Sequence, residues 1–299
     1  MKRLIVLMMG VWLLATACAP AAQPPTATAV PAPVQEAEAV VVQTAVPTNT
    51  PAPPTNTPEP TAEPEPTETP VAESAADNAS ILGPILSEAV VIEAADGLEL
   101  DATFYAAEGL EKAPGVILLH MLGSSRTIWE TVGLADVLAA NGYAVLALDM
   151  RGHGETGGSQ DWAQAEDDIQ RVWQYFVGRP EVDGEKTAVL GASIGSNMAL
   201  IAAANEPTIR TAILLSPGLN FRGVAPAERL PDYGGRPLFI VASEDDYYSM
   251  DSANKLAETA VGETEVKIYE AAGHGTEMFA PQPDLTALIL DWLAQHLVE

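Results

Sequence analysis

A serine between two glycines stands out in the middle of the chain: Gly191-Ala192-Ser193-Ile194-Gly195. An apolar run, residues 187–190, precedes it, and a helix-patterned stretch, residues 194–204, follows. In a strand–turn–helix setting such glycines permit a sharp turn that lifts a serine hydroxyl above a sheet. The plainer alternative is a helix N-terminal serine whose glycines pack against the sheet. A serine hydroxyl is a poor nucleophile on its own. It needs a base, and the base needs a group that orients it. The chain has four histidines: His120, His153, His274 and His296. His274 lies in Ala272-Gly273-His274-Gly275-Thr276, directly after the last strand-like run. His296 falls near the exposed end of the last helical pattern and reads as a C-terminal helix residue. An acidic cluster, Ser243-Glu244-Asp245-Asp246, follows the apolar run 238–241. A serine, an acid and a histidine thus occur in that chain order. The chemistry they suit is acyl transfer through a serine ester.

Such residues need a scaffold. Residues 88–95 and 98–106 alternate in polarity and turn at Asp96-Gly97, which predicts a strand pair. Runs 115–120, 144–149, 187–190, 212–215 and 238–241 are short and continuously apolar, as parallel strands buried on both faces are. Residues 265–270 alternate and suit an edge strand. Helical patterns fall at 127–141, 162–176, 194–204, 251–261 and 284–297. Strand–helix alternation predicts an α/β domain with a mostly parallel central sheet and helices on both faces. Its site should lie outside the carboxyl ends of the strands.

Two further stretches complete a pattern. One is Leu118-Leu119-His120-Met121-Leu122-Gly123-Ser124-Ser125, and the other is Asp149-Met150-Arg151-Gly152-His153-Gly154. With the Gly-x-Ser-x-Gly elbow, the chain from about residue 85 to 299 resembles the α/β-hydrolase superfamily. It is most similar to dienelactone-hydrolase-like and serine-aminopeptidase-like members. The resemblance implies that Ser193 is the nucleophile and His274 the general base and later the acid. It implies that Asp246 orients His274, because Ser243 holds the place of the glycine in the usual Gly-x-x-Asp. That Gly-to-Ser departure keeps Asp245 as an alternative acid. It implies an oxyanion hole built from the backbone N–H of Ile194 and a second donor, Leu122 by lipase-like spacing or Met121 by dienelactone-hydrolase-like spacing. His120 and His153 read better as residues that brace their loops. No metal-ligand spacing, Gly-x-Gly-x-x-Gly or Walker loop is present, so the sequence implies no cofactor and no metal. Residues 216–237, where many relatives insert a cap domain, are long enough only for a loop and one short helix. Trp129, Trp162, Tyr247 and Tyr248 fall near strand-end loops and are candidates to line a pocket, with core or rim packing as the alternative.

The remaining segments are unlike the domain. Lys2 and Arg3 precede an apolar stretch, residues 4–17, that is too short to span a bilayer comfortably. It ends at Cys18, the only cysteine, so no internal disulfide is possible. Residues 1–17 resemble a bacterial lipoprotein signal peptide, which implies acylation of Cys18 and anchoring to the cell membrane. Residues 18–80 hold 14 of the chain's 24 prolines, rich in Thr and Glu besides, with no aromatic residue and no apolar period. They cannot bury enough surface to offset the entropy of ordering, and read as a disordered tether reaching at most about 190 Å.

Residues 81–299 then form the catalytic domain. They carry 33 acids and 12 bases, a net of −21 out of −27 for the 299-residue chain. Charge of that sign opposes nucleic acid and anionic substrates. The expectation is a membrane-tethered, extracytoplasmic serine hydrolase of small ester, thioester or amide substrates. A non-catalytic binding lipoprotein of the same fold and an acyltransferase are the alternatives.

Overall fold

The structure, a computed structural model, describes residues 86–298. The signal, Cys18, the tether and the first residues of the expected domain lie outside the described residues. In chain order the strands are β1 Ser87–Glu93, β2 Glu99–Tyr105, β3 Ala113–Leu119, β4 Ala144–Leu148, β5 Val182–Ala192, β6 Ile209–Leu215, β7 Leu238–Ser243 and β8 Thr264–Tyr269. The helices are α1 Ile128–Thr131, α2 Leu134–Ala140, α3 Trp162–Val177, α4 Ile194–Asn205, α5 Leu230–Tyr233, α6 Tyr247–Thr259 and α7 Leu285–Leu293.

The strands make one sheet in the order β1-β2-β4-β3-β5-β6-β7-β8. The β1–β2 and β2–β4 pairs are antiparallel and every later pair is parallel. Consecutive residues of a strand point to opposite faces. Thus Ile117 and Leu119 join the core beneath α3, α4 and α6, whereas Val116 and Leu118 join the core beneath α2 and α7. Burial on both faces is why β3, β4, β6 and β7 are continuous apolar runs. The fold is that of an α/β-hydrolase, as expected.

Several boundaries differ from expectation for identifiable reasons. The single helix expected over 127–141 is two pieces, because Gly133 takes a left-handed φ of 75° between them. Strand β5 begins at Val182 and not 187. Its polar first half pairs with the start of β3 across a register shift at Pro114/Gly115, so it shows no apolar run. Helix α6 begins at Tyr247 and not 251, because Asp246 caps it by accepting the Ser249 N–H. The last helix ends at Leu293, and a π turn covers Ala294–Val298. His296 is in that turn but is not exposed. Its ring packs on Trp292 at 4.1 Å between centroids and its side chain is 9% exposed.

Candidate active site

The site gathers where β3, β5, β6, β7 and β8 end at their carboxyl edges. Ser193 sits between β5 and α4 with φ 54° and ψ −120°, a strained backbone for a residue with a side chain. Its N–H donates to Leu215 O at 2.8 Å, which ties the turn to the end of β6. The glycines on either side are required by space. A Cβ on Gly195 would stand 2.3 Å from Leu119 O, and one on Gly191 2.1 Å from Gly195 O. Helix α4 can therefore begin hard against the end of β3 only without side chains there. Ile194 opens α4, and its N–H, the first of the helix, has no helical acceptor and faces the turn of Ser193.

His274 lies in the loop after β8. Its Nδ1 is 2.6 Å from Asp246 Oδ2. Two contacts shape that loop: the His274 N–H donates to Glu277 Oε2 at 3.1 Å, and the Gly275 N–H donates to Ser216 Oγ at 2.8 Å. Asp245 points elsewhere. Its Oδ1 accepts from the Ser243 hydroxyl, and its carboxylate receives the Gly273 N–H at 3.3 Å. The Ser243 hydrogen bond, with help from the backbone N–H groups of Ala272 and Gly273, holds the Asp245 carboxyl below its usual range. Of the two neighbouring acids, only Asp246 contacts the histidine. Among the described residues no hydrogen bond closes between Ser193 Oγ and His274, although both side chains line one pocket.

That pocket has a volume of about 240 Å³. Met121, Leu122, Ile194 and Phe221 form its apolar wall, and Asn197, Ser216, Tyr248 and Ser249 add polar atoms. Its lining holds no aspartate, glutamate, lysine or arginine. The acidity of the domain thus acts on approaching molecules from a distance and not by lining the site. The expected oxyanion residues Ile194, Leu122 and Met121 all border this pocket.

Of the four aromatic candidates only Tyr248 is in the pocket. Trp129 is fully buried in the core beneath α2, because its position in α1 faces the sheet. Trp162 lines a separate hollow at the start of α3, and Tyr247 is exposed to solvent.

His120 and His153 brace loops, as expected. His120 Nε2 accepts the Met150 N–H at 3.1 Å, so the ring proton is on Nδ1, which donates to Met121 O at 2.8 Å. The ring ties the loop after β3 to the loop after β4. Burial pushes its pKa down to about 4, which keeps it neutral. His153 Nδ1 is 3.1 Å from Arg151 O. Around them, Arg126 pairs with the fully buried Asp149, and Arg151 reaches Asp168 at 2.7 Å and Asp96 at 2.7 Å. These ion pairs tie the loop after β4 to the loop after β3, to α3 and to the β1–β2 turn. Every one of the charges is hydrogen-bonded, as burial requires.

Three pocket residues carried too little signal in the sequence. Ser216 follows the end of β6 at φ 50° and could have been sought at that strand end. Asn197 is a fully buried amide in a largely apolar helix. Phe221 lies in a loop, and nothing in its neighbours marks it.

Comparison with known proteins agrees with this fold. The model of the family described as serine aminopeptidase, S33, matches residues 112–233. The uncharacterized protein YfhR of Salmonella typhimurium is 26% identical over 180 residues, 56% of this chain and 59% of that protein, so the chain spans less than two thirds of its length. Among solved structures, a dienelactone hydrolase from Anabaena variabilis superposes with a TM-score of 0.59 at 19% identity, covering 71% of this chain and 99% of that one. An esterase from Pyrococcus furiosus superposes with a TM-score of 0.61 at 20% identity, covering 71% of this chain and 92% of that one.

Proposed function

We propose that this chain, a member of the α/β-hydrolase superfamily, is a serine hydrolase that works through an acyl-enzyme on Ser193. One observation carries the reading: the 2.6 Å contact of Asp246 with His274 Nδ1, in the pocket that also holds the strained Ser193 turn. With Nδ1 donating to Asp246, His274 Nε2 is the basic nitrogen. Ser193 Oγ attacks the substrate carbonyl carbon and its proton passes to His274 Nε2. The carbonyl oxygen, now an anion, turns to the Ile194 N–H and to a second N–H from Met121 or Leu122. Each such donor is worth about 2.7–4 kcal/mol of barrier. His274 then protonates the leaving group, which departs as alcohol, thiol or amine. A water molecule repeats the sequence on the acyl-enzyme and returns the free Ser193.

The substrates in this reading are small esters, thioesters or amides. Support comes from the modest, uncharged pocket and from the short segment 216–237, whose structured parts are one 3-10 turn, Pro226–Arg229, and α5. The reading also places the domain outside the cytoplasm, anchored to the membrane through acylated Cys18. Its support is the charged and apolar start of the sequence and its single, well-placed cysteine.

The test is labelling with a fluorophosphonate probe together with turnover of p-nitrophenyl esters. The protein is expected to label and turn over, and Ser193→Ala to do neither. Undiminished labelling of Ser193→Ala would remove Ser193 as nucleophile. No labelling and no turnover by the unaltered protein would favour a binding role. For the anchor, Cys18→Ser is expected to leave the membrane fraction.

A further inference from the structure

The wall of the Ser193 pocket is suspended from a buried amide. Asn197 lies one turn into α4, four residues after Ser193, and is fully buried. Its Oδ1 accepts the Gly218 N–H at 2.9 Å and its Nδ2 donates to Val224 O at 3.2 Å. One side chain thus holds both ends of the strap 218–224. Between those ends the strap makes a tight hairpin. Phe221 N–H donates to Val224 O at 3.0 Å, and Val224 N–H donates to Phe221 O at 2.9 Å. Arg222 and Gly223 at its tip both have positive φ, 53° and 87°, the signature of a primed two-residue turn. The hairpin fixes the direction in which Phe221 projects, and Phe221 lines the pocket.

A second attachment comes from α6. The Tyr248 hydroxyl donates to Asn220 O at 2.8 Å, and the Leu219 N–H donates to Ser252 Oγ at 3.3 Å. Tyr248 packs so closely on the strap that a Cβ on Gly218 would stand 2.9 Å from its ring. The strap therefore hangs from the two helices whose N-caps are Ser193 and Asp246.

We propose that Asn197 is a positioning residue: by clamping Gly218 and Val224 it holds Phe221 as the end wall of the Ser193 pocket, and so restricts the site to short apolar substrate chains. The proposal rests on the serine-hydrolase reading. A buried amide with both its donor and its acceptor engaged is a directional tether; losing it leaves the Gly218 N–H unpaired and Val224 O with the Phe221 N–H alone. A pocket of about 240 Å³ lies below the usual range for drug-sized ligands, so the position of one wall decides which chain lengths enter. Released, Phe221 would swing out and admit longer chains.

The experiment measures kcat/KM on the full chain for two ester series. One lengthens the acyl group from acetate to decanoate on p-nitrophenol. The other lengthens the alcohol on acetate. The variants are Asn197→Ala, Asn197→Asp, which keeps the acceptor for Gly218 and loses the donor to Val224, and Phe221→Ala, whose partly exposed position makes it the safer fold. The long-to-short ratio is expected to rise by about tenfold or more in one series for Asn197→Ala and Phe221→Ala, and by less for Asn197→Asp. The series that responds identifies which part of the substrate meets Phe221. An unchanged ratio in both series for Phe221→Ala, or for a folded Asn197→Ala, overturns the proposal. Probe labelling of Ser193 in the unaltered protein is read first, so failure of the parent reading is seen separately.

Discussion

Asp246 meets His274 with one oxygen and caps α6 with the other. Oδ2 is 2.6 Å from His274 Nδ1, while Oδ1 accepts the Ser249 N–H at 3.4 Å. The cap aims the carboxylate, because a group held at a helix start cannot rotate freely away from its partner. Asp245, one residue earlier, is held instead by Ser243 and Gly273. Asp246→Asn is expected to lower kcat by about 10⁴-fold, through loss of the tautomer that serves catalysis. Asp245→Asn should cost far less. Steady-state kinetics on a p-nitrophenyl ester decides, and the reverse ranking would transfer the orienting role to Asp245.

Gly195 is expected to tolerate no side chain. The Cβ of Gly195→Ala would meet the carbonyl oxygens of Leu119 and His120 at 2.3 and 2.5 Å, and backbone cannot step aside as a flexible side chain can. Overpacking of this kind costs about 1–3 kcal/mol or more. Urea denaturation of Gly195→Ala should show a midpoint shift of that size, along with loss of probe labelling as the elbow moves.

Acid should weaken the fold through His120. Its folded pKa is about 4, against an ordinary 6.5, because burial penalises the cation. Between those values the unfolded chain binds a proton that the folded chain refuses. Stability is therefore fully present above about pH 6.5 and is lost as the pH falls towards 4. At 1.36 kcal/mol per pKa unit the loss is about 3 kcal/mol. Denaturant midpoints measured across this window should fall for the unaltered protein and fall less steeply for His120→Gln. Parallel slopes would show that other groups govern the acid limb.

The strap carries removable strain. Arg222 holds φ at 53°, a left-handed conformation that costs most L-residues roughly 1–2 kcal/mol and suits Asn far better. Arg222→Asn should raise stability by up to about 1 kcal/mol, seen as a higher thermal midpoint. A lower midpoint would mean that the exposed arginine contributes more by its contacts than its backbone loses.

Much of this architecture is written in local pattern. Runs such as 144–148 are apolar because β4 is covered on both faces, and that requirement reaches every residue of the strand. The elbow is legible in its Gly-x-Ser-x-Gly pattern: Gly191 answers a steric demand made within a few residues, by the backbone of Gly195, whereas Gly195 answers one made by Leu119 and His120 at the end of β3. Helix starts were harder to see. The start of α6 depends on the Asp246 cap, and the break between α1 and α2 depends on the backbone of one glycine, Gly133. Neither changes the hydrophobic period. Trp129 shows the converse: a strand-end aromatic suits a pocket or a core alike, and only its place on α1 sends it into the core.

The amino-acid sequence alone determined the class of fold, the Ser193 turn, and the candidacy of His274 with one acid of the 244–246 cluster. These are short-range features, and side-chain type and spacing encode them directly. The tertiary structure decided the rest. It turned Asp246 rather than Asp245 towards a histidine 28 residues away, joined Ser216 to the His274 loop, and clamped Phe221 through Asn197. The physical reason is that hydrogen bonds are directional at the scale of an ångström. Which of two adjacent carboxylates faces a partner depends on where the helix beneath them begins and how the sheet brings two loops together.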